Sequence, residues 1–363
     1  MDLLQQARAE IDTVDAEMAA LFERRMRAVA DVVRYKAETG KPVFDAAREA
    51  AVLDKNTARI TDEALRPYYR AFLSDAMSIS RAYQRARLGR DTAAYQGVPG
   101  AWSHIALRRL FPFARETACT TWGEVFDAVQ NGDAQFGVLP FENSNAGDVS
   151  TVLDLLYTHP DIIIARMCDL PIRQDLLGVP GATLETVRTV ISHPQALGQC
   201  SGYIRKHGFE SIEAVNTAVA AKTVADKGDH SLAAIGSARA AQLCGLKILE
   251  SHINESGKNT TRFAVFSRAQ KAESRNDNSF IMMFTVKNQP GCLGRAVSAI
   301  GENGFNLRAL KSRPTKELSW SYYFYAEGEG CINSFEGRRM LNQLIPHCMD
   351  VKVIGSFEKE IAI

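Results

Sequence analysis

Between Leu4 and Tyr35 the apolar residues recur on a heptad seam, and this repeat constrains the fold more than any other feature of the chain. Leu4, Ile11, Met18 and Val32 occupy one register, and Ala7, Val14, Leu21, Ala28 and Tyr35 the other. That spacing commits a segment to a long helix packed against another helix. Arg25 falls in the first register, where a hydrophobe belongs. A guanidinium on a buried seam is costly unless it is paired or bonded to an anion. The helix is therefore expected to hold an anionic ligand in its core.

The 363 residues point to two or three domains, and a hydrophobic content of 46% is enough to build real cores. A net charge of +1 argues against non-specific nucleic-acid binding and gives no membrane-surface signal. The seven cysteines are scattered without a CxxC pair, so they read as reduced thiols in a cytoplasmic protein and not as a disulfide frame or a metal site. The start Met1-Asp2-Leu3-Leu4-Gln5 lacks the basic and apolar regions of a signal peptide. No apolar run approaches membrane-spanning length.

Three segments follow from the pattern. Residues 1–90 read as all helix: one helix to about residue 38, closed by Gly40 and Pro42, a second over 45–57 and a third over 62–87, with 88–91 as a linker. Residues 91–269 alternate strand and helix, with strands at 93–98, 136–141, 162–167, 189–192, 232–235 and 262–266, which predicts an α/β domain with a largely parallel sheet. A polar linker covers 269–278. Residues 278–358 then read strand 279–287, helix 293–302, strand 306–313, strand 319–327, helix 334–344, strand 351–355, the α+β ferredoxin-like order βαββαβ.

In the helical segment Arg25 and Lys36 are eleven positions apart. That is close to three turns, so both point the same way with Cα atoms about 16 Å apart. Asp45, Arg48 and Glu49 follow on the second helix, and Ser80 and Gln84 form an i, i+4 pair on the third. The set offers cations for carboxylates, acids for a hydroxyl and an amide for an ether oxygen. Arg8 lies 17 residues before Arg25, about 25 Å along a straight helix. If it contributes to the same site, it must come from a second, antiparallel protomer.

The pattern Arg8, Arg25, Lys36, Asp45-x-x-Arg48-Glu49, Ser80-x-x-x-Gln84 resembles the all-helical chorismate mutases. The resemblance implies a three-helix intertwined dimer and rearrangement of chorismate to prephenate without metal, cofactor or covalent intermediate. Arg8, Arg25 and Arg48 would pin two carboxylates. Lys36 and Gln84 would stabilise charge growing on the ether oxygen. Asp45, Glu49 and Ser80 would hold the ring hydroxyl and orient the cations.

In the second segment four polar stretches follow strands and open helices: 97–104, 142–147, 192–195 and 236–239. Helix N-termini at the carboxyl ends of strands favour anions, so the four together predict a cleft for a small, multiply charged anion. Gly97-x-x-Gly100-x-x-Ser103, Glu142-Asn143-Ser144, Ser192-His193-Pro194-Gln195 and Asn259-Thr260-Thr261-Arg262-Phe263 resemble prephenate dehydratases, although Ala101-Trp102 departs from the usual hydroxyl and smaller aromatic. The resemblance implies a two-lobed, periplasmic-binding-protein-like fold with its site in the cleft. Thr261 would assist departure of the ring hydroxyl, and Ser103, Asn143, Ser144, His193, Arg262 and Phe263 would bind substrate. For His193 a purely structural role stands equally open, and Arg262 reads as a structural or carboxylate partner and not an acid, since a guanidinium does not deprotonate.

In the third segment Gln289-Pro290-Gly291-Cys292-Leu293-Gly294 and the strand from Asn306 through Ser312-Arg313-Pro314 resemble the amino-acid-sensing ACT domain, with Cys292 and Lys311 departing from its usual motif. That resemblance places an L-phenylalanine effector at Gly291, Leu293, Asn306, Leu307, Ser312 and Arg313. The whole then reads as a homodimeric or larger bifunctional enzyme of phenylalanine biosynthesis, feedback-inhibited by phenylalanine. The alternatives are arogenate dehydratase activity in the second domain, or a non-enzymatic aromatic-ligand sensor.

Overall fold

The computed structural model of the protein describes residues 2–89, 91–145, 147–268, 277–314, 322–358 and 361–363. Most of the expected linker 269–278, Arg90 of the linker 88–91, Ala146 of the stretch 142–147, and 319–321 of the expected strand 319–327 lie outside the described residues. The chain divides into two compact units, residues 1–91 with 113–115, and residues 92–112 with 116–363.

The first unit is helical because its caps and periods agree. Helix α1 (Leu3–Thr39) opens with a reciprocal Asp2–Gln5 capping box and closes at Gly40, whose left-handed backbone (φ 69°) returns its N–H to the Lys36 carbonyl. Asp45 caps α2 (Ala46–Thr57) by accepting the Arg48 N–H. A single 3-10 turn, Glu63–Leu65, leads into α3 (Arg66–Arg87).

Within one chain the heptad seam of α1 is not buried. Leu4, Ile11, Val14, Met18 and Leu21 are 56, 57, 43, 40 and 60% exposed. Val33 is the buried residue of this helix. Around it Arg25, Met26, Val29, Ala30 and Lys36 are half-buried on the side that meets α3. That face keeps the 3.6-residue period of a straight helix and so drifts off a seven-residue seam. Arg25 therefore belongs to the face turned to α3, and the expectation that it interrupts an internally buried seam is corrected.

In the second unit β1 (Thr92–Gln96), α4 (Trp102–Leu110), β2 (Arg115–Cys119), α5 (Trp122–Asn131), β3 (Phe136–Asn143), β4 (Gly147–Asp148) and α6 (Ser150–Thr158) build a first lobe. Strand β5 (Ile162–Pro171) leads out to a second lobe of β6 (Asp175–Gly178), β7 (Thr189–Ser192), α7 (Pro194–Gln199), α8 (Ser201–His207), β8 (Glu210–Glu213), α9 (Thr217–Lys227), β9 (Leu232–Gly236), α10 (Ala238–Cys244) and β10 (Lys247–Glu250). Strand β11 (Thr260–Arg268) brings the chain back. The second lobe has its own sheet, ordered β10-β6-β9-β7-β8.

The expected largely parallel sheet is replaced by two mixed ones. β1–β3, β7–β8 and β7–β9 are parallel, whereas β11–β3, β11–β5, β6–β9 and β10–β6 are antiparallel. The cause is the double crossing between lobes: a strand leaving and a strand returning side by side must run antiparallel.

The remaining residues form β12 (Ser279–Thr285), α11 (Cys292–Glu302), β13 (Asn306–Pro314), β14 (Tyr322–Glu329), α12 (Phe335–Leu344), β15 (Asp350–Phe357) and β16 (Ile361–Ala362). The first six give the order βαββαβ, with strands aligned β13-β14-β12-β15. Phe280, Met282 and Phe284 of β12 pack with Ile300, Met340 and Leu344 of the two helices. Ile281 and Met283, on the opposite face, join Tyr323, Tyr325 and Ile354 in one core with Phe141, Ile164 and Phe266 of the first lobe. Both faces of β12 are buried, which is why it reads as an unbroken apolar run. β15 and β16 both pair with β5, so this sheet continues into that of the first lobe.

At Gly337 in the first turn of α12, a Cβ would stand 2.1 Å from the Ile332 carbonyl oxygen and 2.5 Å from its carbon. Backbone cannot step aside as a side chain can. Gly337→Ala is expected to cost about 1–3 kcal/mol, the usual range for overpacking. Urea unfolding followed by circular dichroism should show a lowered midpoint, and an unchanged midpoint would refute the tight approach.

Candidate active sites

The contact between α1 and α3 is polar where it matters. Arg25 donates through Nη1 to the Ala76 carbonyl at 3.1 Å and to Ser80 Oγ. Lys36 Nζ donates to Gln84 Oε1 at 3.0 Å and to the Val43 carbonyl at 2.7 Å. Ser80 and Gln84 are buried, at 4 and 8% exposure. The four residues singled out from the sequence thus form one polar seam. Among the described residues no carboxylate pairs with Arg25, whose partners are neutral oxygens, so its charge is left for an anion. Because Gln84 Oε1 accepts from Lys36, its Nε2 is the end turned away from the lysine and can donate.

Other members of the predicted set play different parts. Asp45 accepts the Arg48 N–H at 3.0 Å and so caps α2, while the Arg48 side chain stands exposed. Glu49 forms a partly buried ion pair with Arg81, which also lies 5.6 Å over the Phe44 ring. Arg81 went unnoticed in the sequence; a cation beside Ser80 facing an acid of the preceding helix was the available signal. Arg8 is exposed on the unpacked part of α1 and meets none of the others.

Thr261 is the second residue of β11 and lies directly opposite Asn143, the last residue of β3. Both line a cleft of about 550 Å³ between the two lobes, together with Ser103, His193 and Phe263. Asn143 Nδ2 donates to Thr261 Oγ1 at 2.9 Å and to Asn259 Oδ1 at 3.0 Å. Its Oδ1 accepts the Asn145 N–H at 3.0 Å, which fixes the amide orientation. One lone pair of the threonine oxygen is therefore occupied, and its proton is free to point at a ligand.

Among the described residues that line the cleft there is no lysine, arginine, aspartate or glutamate. Instead the N-terminal residues of α4, α6 and α9 reach its wall (Trp102 and Ser103, Ser150 and Thr151, Thr217), with Gln96, Gln174 and Gln199 beside them. Helix N-termini supply N–H donors and positive field without a counter-charge. His193 caps α7, its Nδ1 accepting the Gln195 N–H at 3.2 Å, which places the ring proton on Nε2. Burial lowers its pKa below the ordinary histidine value, although Glu213 opposes this, so the ring is neutral at pH 7.

Three expectations are corrected here. The stretch 236–239 does not line the cleft: Ser237 caps α10 and donates to the Gly100 carbonyl at 3.1 Å, buttressing the 97–100 turn. Asn216 and Thr217 occupy that part of the wall; an Asn-Thr pair opening an Ala/Val-rich helix was the missed sign. Ser144 accepts the Thr260 N–H at 3.1 Å and donates to the Lys258 carbonyl at 3.3 Å, tying loops together outside the cleft. Arg262 is not a cleft residue either. Since Thr261 lies inside the strand and not ahead of it, alternation turns Arg262 to the opposite face, where it meets Glu142 and Glu327.

The predicted effector residues are not gathered within one chain. Gly291, with φ 78°, precedes α11, and Ser312 pairs with Phe324 level with Phe284, near that end of the sheet. Asn306 pairs with Glu329 level with Ser279, at the other end. Leu293 and Leu307 pack on the helical core, Asn306 donates to Glu329 at 3.1 Å, and Ser312 is exposed. Arg313 is corrected outright: it binds Asp154 of α6 through two nitrogens at 3.0–3.1 Å, a carboxylate that Tyr323 also contacts at 3.0 Å. No cluster suited to a metal ion and no helix long and apolar enough to cross a membrane occurs among the described residues.

Comparison with known proteins agrees with this division. The type II chorismate mutase family matches residues 7–85, and the prephenate dehydratase family matches residues 93–271. The chain is 30% identical to a bifunctional chorismate mutase/prephenate dehydratase of Aquifex aeolicus over 99% of both chains. It is 31% identical to one of Neisseria gonorrhoeae, covering 98% of this chain and 97% of that one. A solved prephenate dehydratase from Arthrobacter aurescens, in complex with L-Phe, shares the fold with a TM-score of 0.69 at 24% identity, covering 74% of this chain and 90% of that one.

The neutral His193 gives a test of the cleft. Below pH 6.5 the unfolded chain takes up this proton before the folded one, so the folded state loses stability as pH falls through that range. His193→Ala should cost about 1 kcal/mol at pH 7.5 through the lost cap, and the gap to the parent should narrow at pH 5. A gap that does not change with pH in urea titrations would refute the capping tautomer.

Proposed function

Because the chain belongs to the bifunctional chorismate mutase/prephenate dehydratases, we propose which of its residues carry each of the two reactions. The enzyme rearranges chorismate to prephenate and converts prephenate to phenylpyruvate, in phenylalanine biosynthesis.

The first reaction breaks a C–O bond and forms a C–C bond in one pericyclic step, so the protein's task is to hold a compact conformer and stabilise charge. Arg25 anchors one carboxylate. Lys36 and Gln84, 3.0 Å apart, present an ammonium and an amide N–H to the ether oxygen as it gains negative charge. Ser80 holds Arg25 in place, and Arg81 does the same for Glu49. Arg48 and the Arg8 of a second protomer complete the pocket. The support for a homodimer is α1 itself, whose residues 2–24 are exposed throughout while carrying the apolar seam.

In the second reaction the ring carboxylate leaves as carbon dioxide, its bonding pair flows into the ring, and the ring hydroxyl departs, taking a proton to become water. Thr261 donates to that oxygen, with Asn143 holding the hydroxyl in line. The observation that carries this reading is the Asn143–Thr261 hydrogen bond at the wall of a cleft without charged side chains among its described residues. An arginine paired with the leaving carboxylate would stabilise the ground state more than the transition state; neutral donors bind the dianion without that penalty. Arogenate carries an ammonium that no described carboxylate of the wall would meet, so prephenate fits better.

We further propose that the βαββαβ domain is an ACT domain that senses L-phenylalanine, as its strand order and the L-Phe complex of the Arthrobacter protein support. Gly291 and Asn306 lie at opposite ends of the sheet, so a second copy is needed to complete an effector site.

Supplying the protein with chorismate, prephenate or arogenate and following phenylpyruvate and phenylalanine, with and without added phenylalanine, tests the whole scheme. Thr261→Ala should lower prephenate turnover by about 10²–10⁴-fold and leave the mutase rate unchanged; equal loss of both would overturn the separation of sites. Gln84→Glu should make the mutase work only with the new carboxyl protonated, so its kcat should fall as pH rises while the parent stays flat above neutrality. A parent profile that collapses near a carboxyl titration would refute the role given to Gln84.

A further inference from the structure

The Thr261–Asn143 pair sits at an irregular point of its sheet. Asn143 pairs with Thr261 and Glu142 with Arg262, but the next partners are Pro140 and Phe263, so Phe141 is an extra residue. Pro140 has no N–H to give a ladder, and a bulge bends its strand and re-aims the side chains beside it. Regular backbone pairing therefore does not by itself set the separation of the two reacting side chains.

A charge cluster, buried at Glu327 and Arg262 and open towards Glu142, lies against the other face of this point. Arg262 Nη1 is 3.2 Å from Glu142 Oε2 and 3.0 Å from Glu327 Oε2. Glu142 and Arg262 are the sequence neighbours of Asn143 and Thr261, and their side chains cross-link the two strands at the bulge. Glu327 comes from β14 of the C-terminal domain and is 3% exposed. Arg308 of β13 is 3.4 Å from its Oε1, and the Tyr325 hydroxyl donates to its Oε2 at 3.2 Å. Lys311 of β13 is 3.6 Å from Glu142 Oε1.

We propose that Glu327 is a positioning residue for the dehydration: from the C-terminal domain it holds Arg262, and through the Arg262–Glu142 pair it sets the geometry of Thr261 and Asn143. A small shift in reacting groups can cost up to about 100-fold in rate, whereas breaking a buried pair with no such linkage changes stability alone. The same cluster gives β13 a direct mechanical hold on the reaction, since Arg308 and Lys311 grip its two carboxylates. The inference rests on Thr261 and Asn143 being the reacting pair, which Thr261→Ala tests separately.

In the full-length protein, Glu327→Gln removes the charge and keeps the shape. It should lower kcat for prephenate about 10- to 100-fold with KM nearly unchanged and mutase turnover intact, and Glu327→Asp should recover part of the loss. In an Asn143→Ala background the loss should shrink, because both changes act on one geometry. If Glu327→Gln does not fold, Arg308→Gln, which loosens the outer grip on Glu327 and leaves Arg262 in place, gives the same reading in milder form. A folded variant of either kind with parental kcat, or a loss of equal size in the Asn143→Ala background, overturns the proposal.

Discussion

Everything in the second unit hangs on two strands, β5 and β11, that run side by side in opposite directions over nine paired positions from Thr260–Pro171 to Arg268–Ile162. They are the only covalent route between the lobes, one leaving and one returning. Their hydrogen bonds make the crossing a ribbon and not two loose linkers. Where β11 starts, the ribbon opens into the cleft, and Thr261 stands at that opening. On the far side β5 accepts β15 and β16, so the C-terminal sheet is attached to the same ribbon. The point at which β11 meets the cleft, the mutual placement of the lobes and the docking of the C-terminal domain thus all lean on one backbone pairing, while the fine aim of the Thr261 side chain is set beside it.

The two sites of the chain handle anions by opposite means. On the proposed assignment the helical site uses formal charge: Arg25 donates to Ser80 and the Ala76 carbonyl, and Lys36, on the same helix face, donates to Gln84 and the Val43 carbonyl. The cleft uses dipoles, amides and hydroxyls. The difference follows from the chemistry. In the rearrangement both carboxylates survive and serve as handles, so strong pairing is harmless. In the dehydration one carboxylate must leave, and a tight ion pair would oppose its departure. On the proposed assignment, one chain holds related dianions first with cations and then, among its described residues, with neutral donors.

The sequence revealed most where period and chemistry coincide. The β12 run and the Arg25–Lys36 spacing were readable because each follows from a single helix or strand. The strands that escaped notice are short or exposed: Glu210–Glu213 and Lys247–Glu250 lie on sheet edges with little apolar pattern to show. The direction of Arg262 was misjudged through the boundary of β11: the strand begins at Thr260, two residues earlier than expected, so Thr261 is already a strand residue and alternation turns its neighbour Arg262 to the other face. Arg313 was misassigned because its partner, Asp154, is far away in the chain, and no local rule links them. Arg81 and Thr217 escaped for a related reason: each matters through what the third dimension places opposite it.

The continuity of the C-terminal sheet with the first lobe bears on how such a gene can change. A chain ending after β11 would leave β5, with Ile162, Ile163 and Ile164 at its head, as a bare edge ready to pair with other chains. The Met283, Tyr323 and Tyr325 side of the shared core would be lost with it. Truncation would therefore trade a covered edge for one open to association, quite apart from any loss of control. The domain is a wall of the first lobe as well as a module of its own, so a change in what it senses can be made only on the surface it does not share.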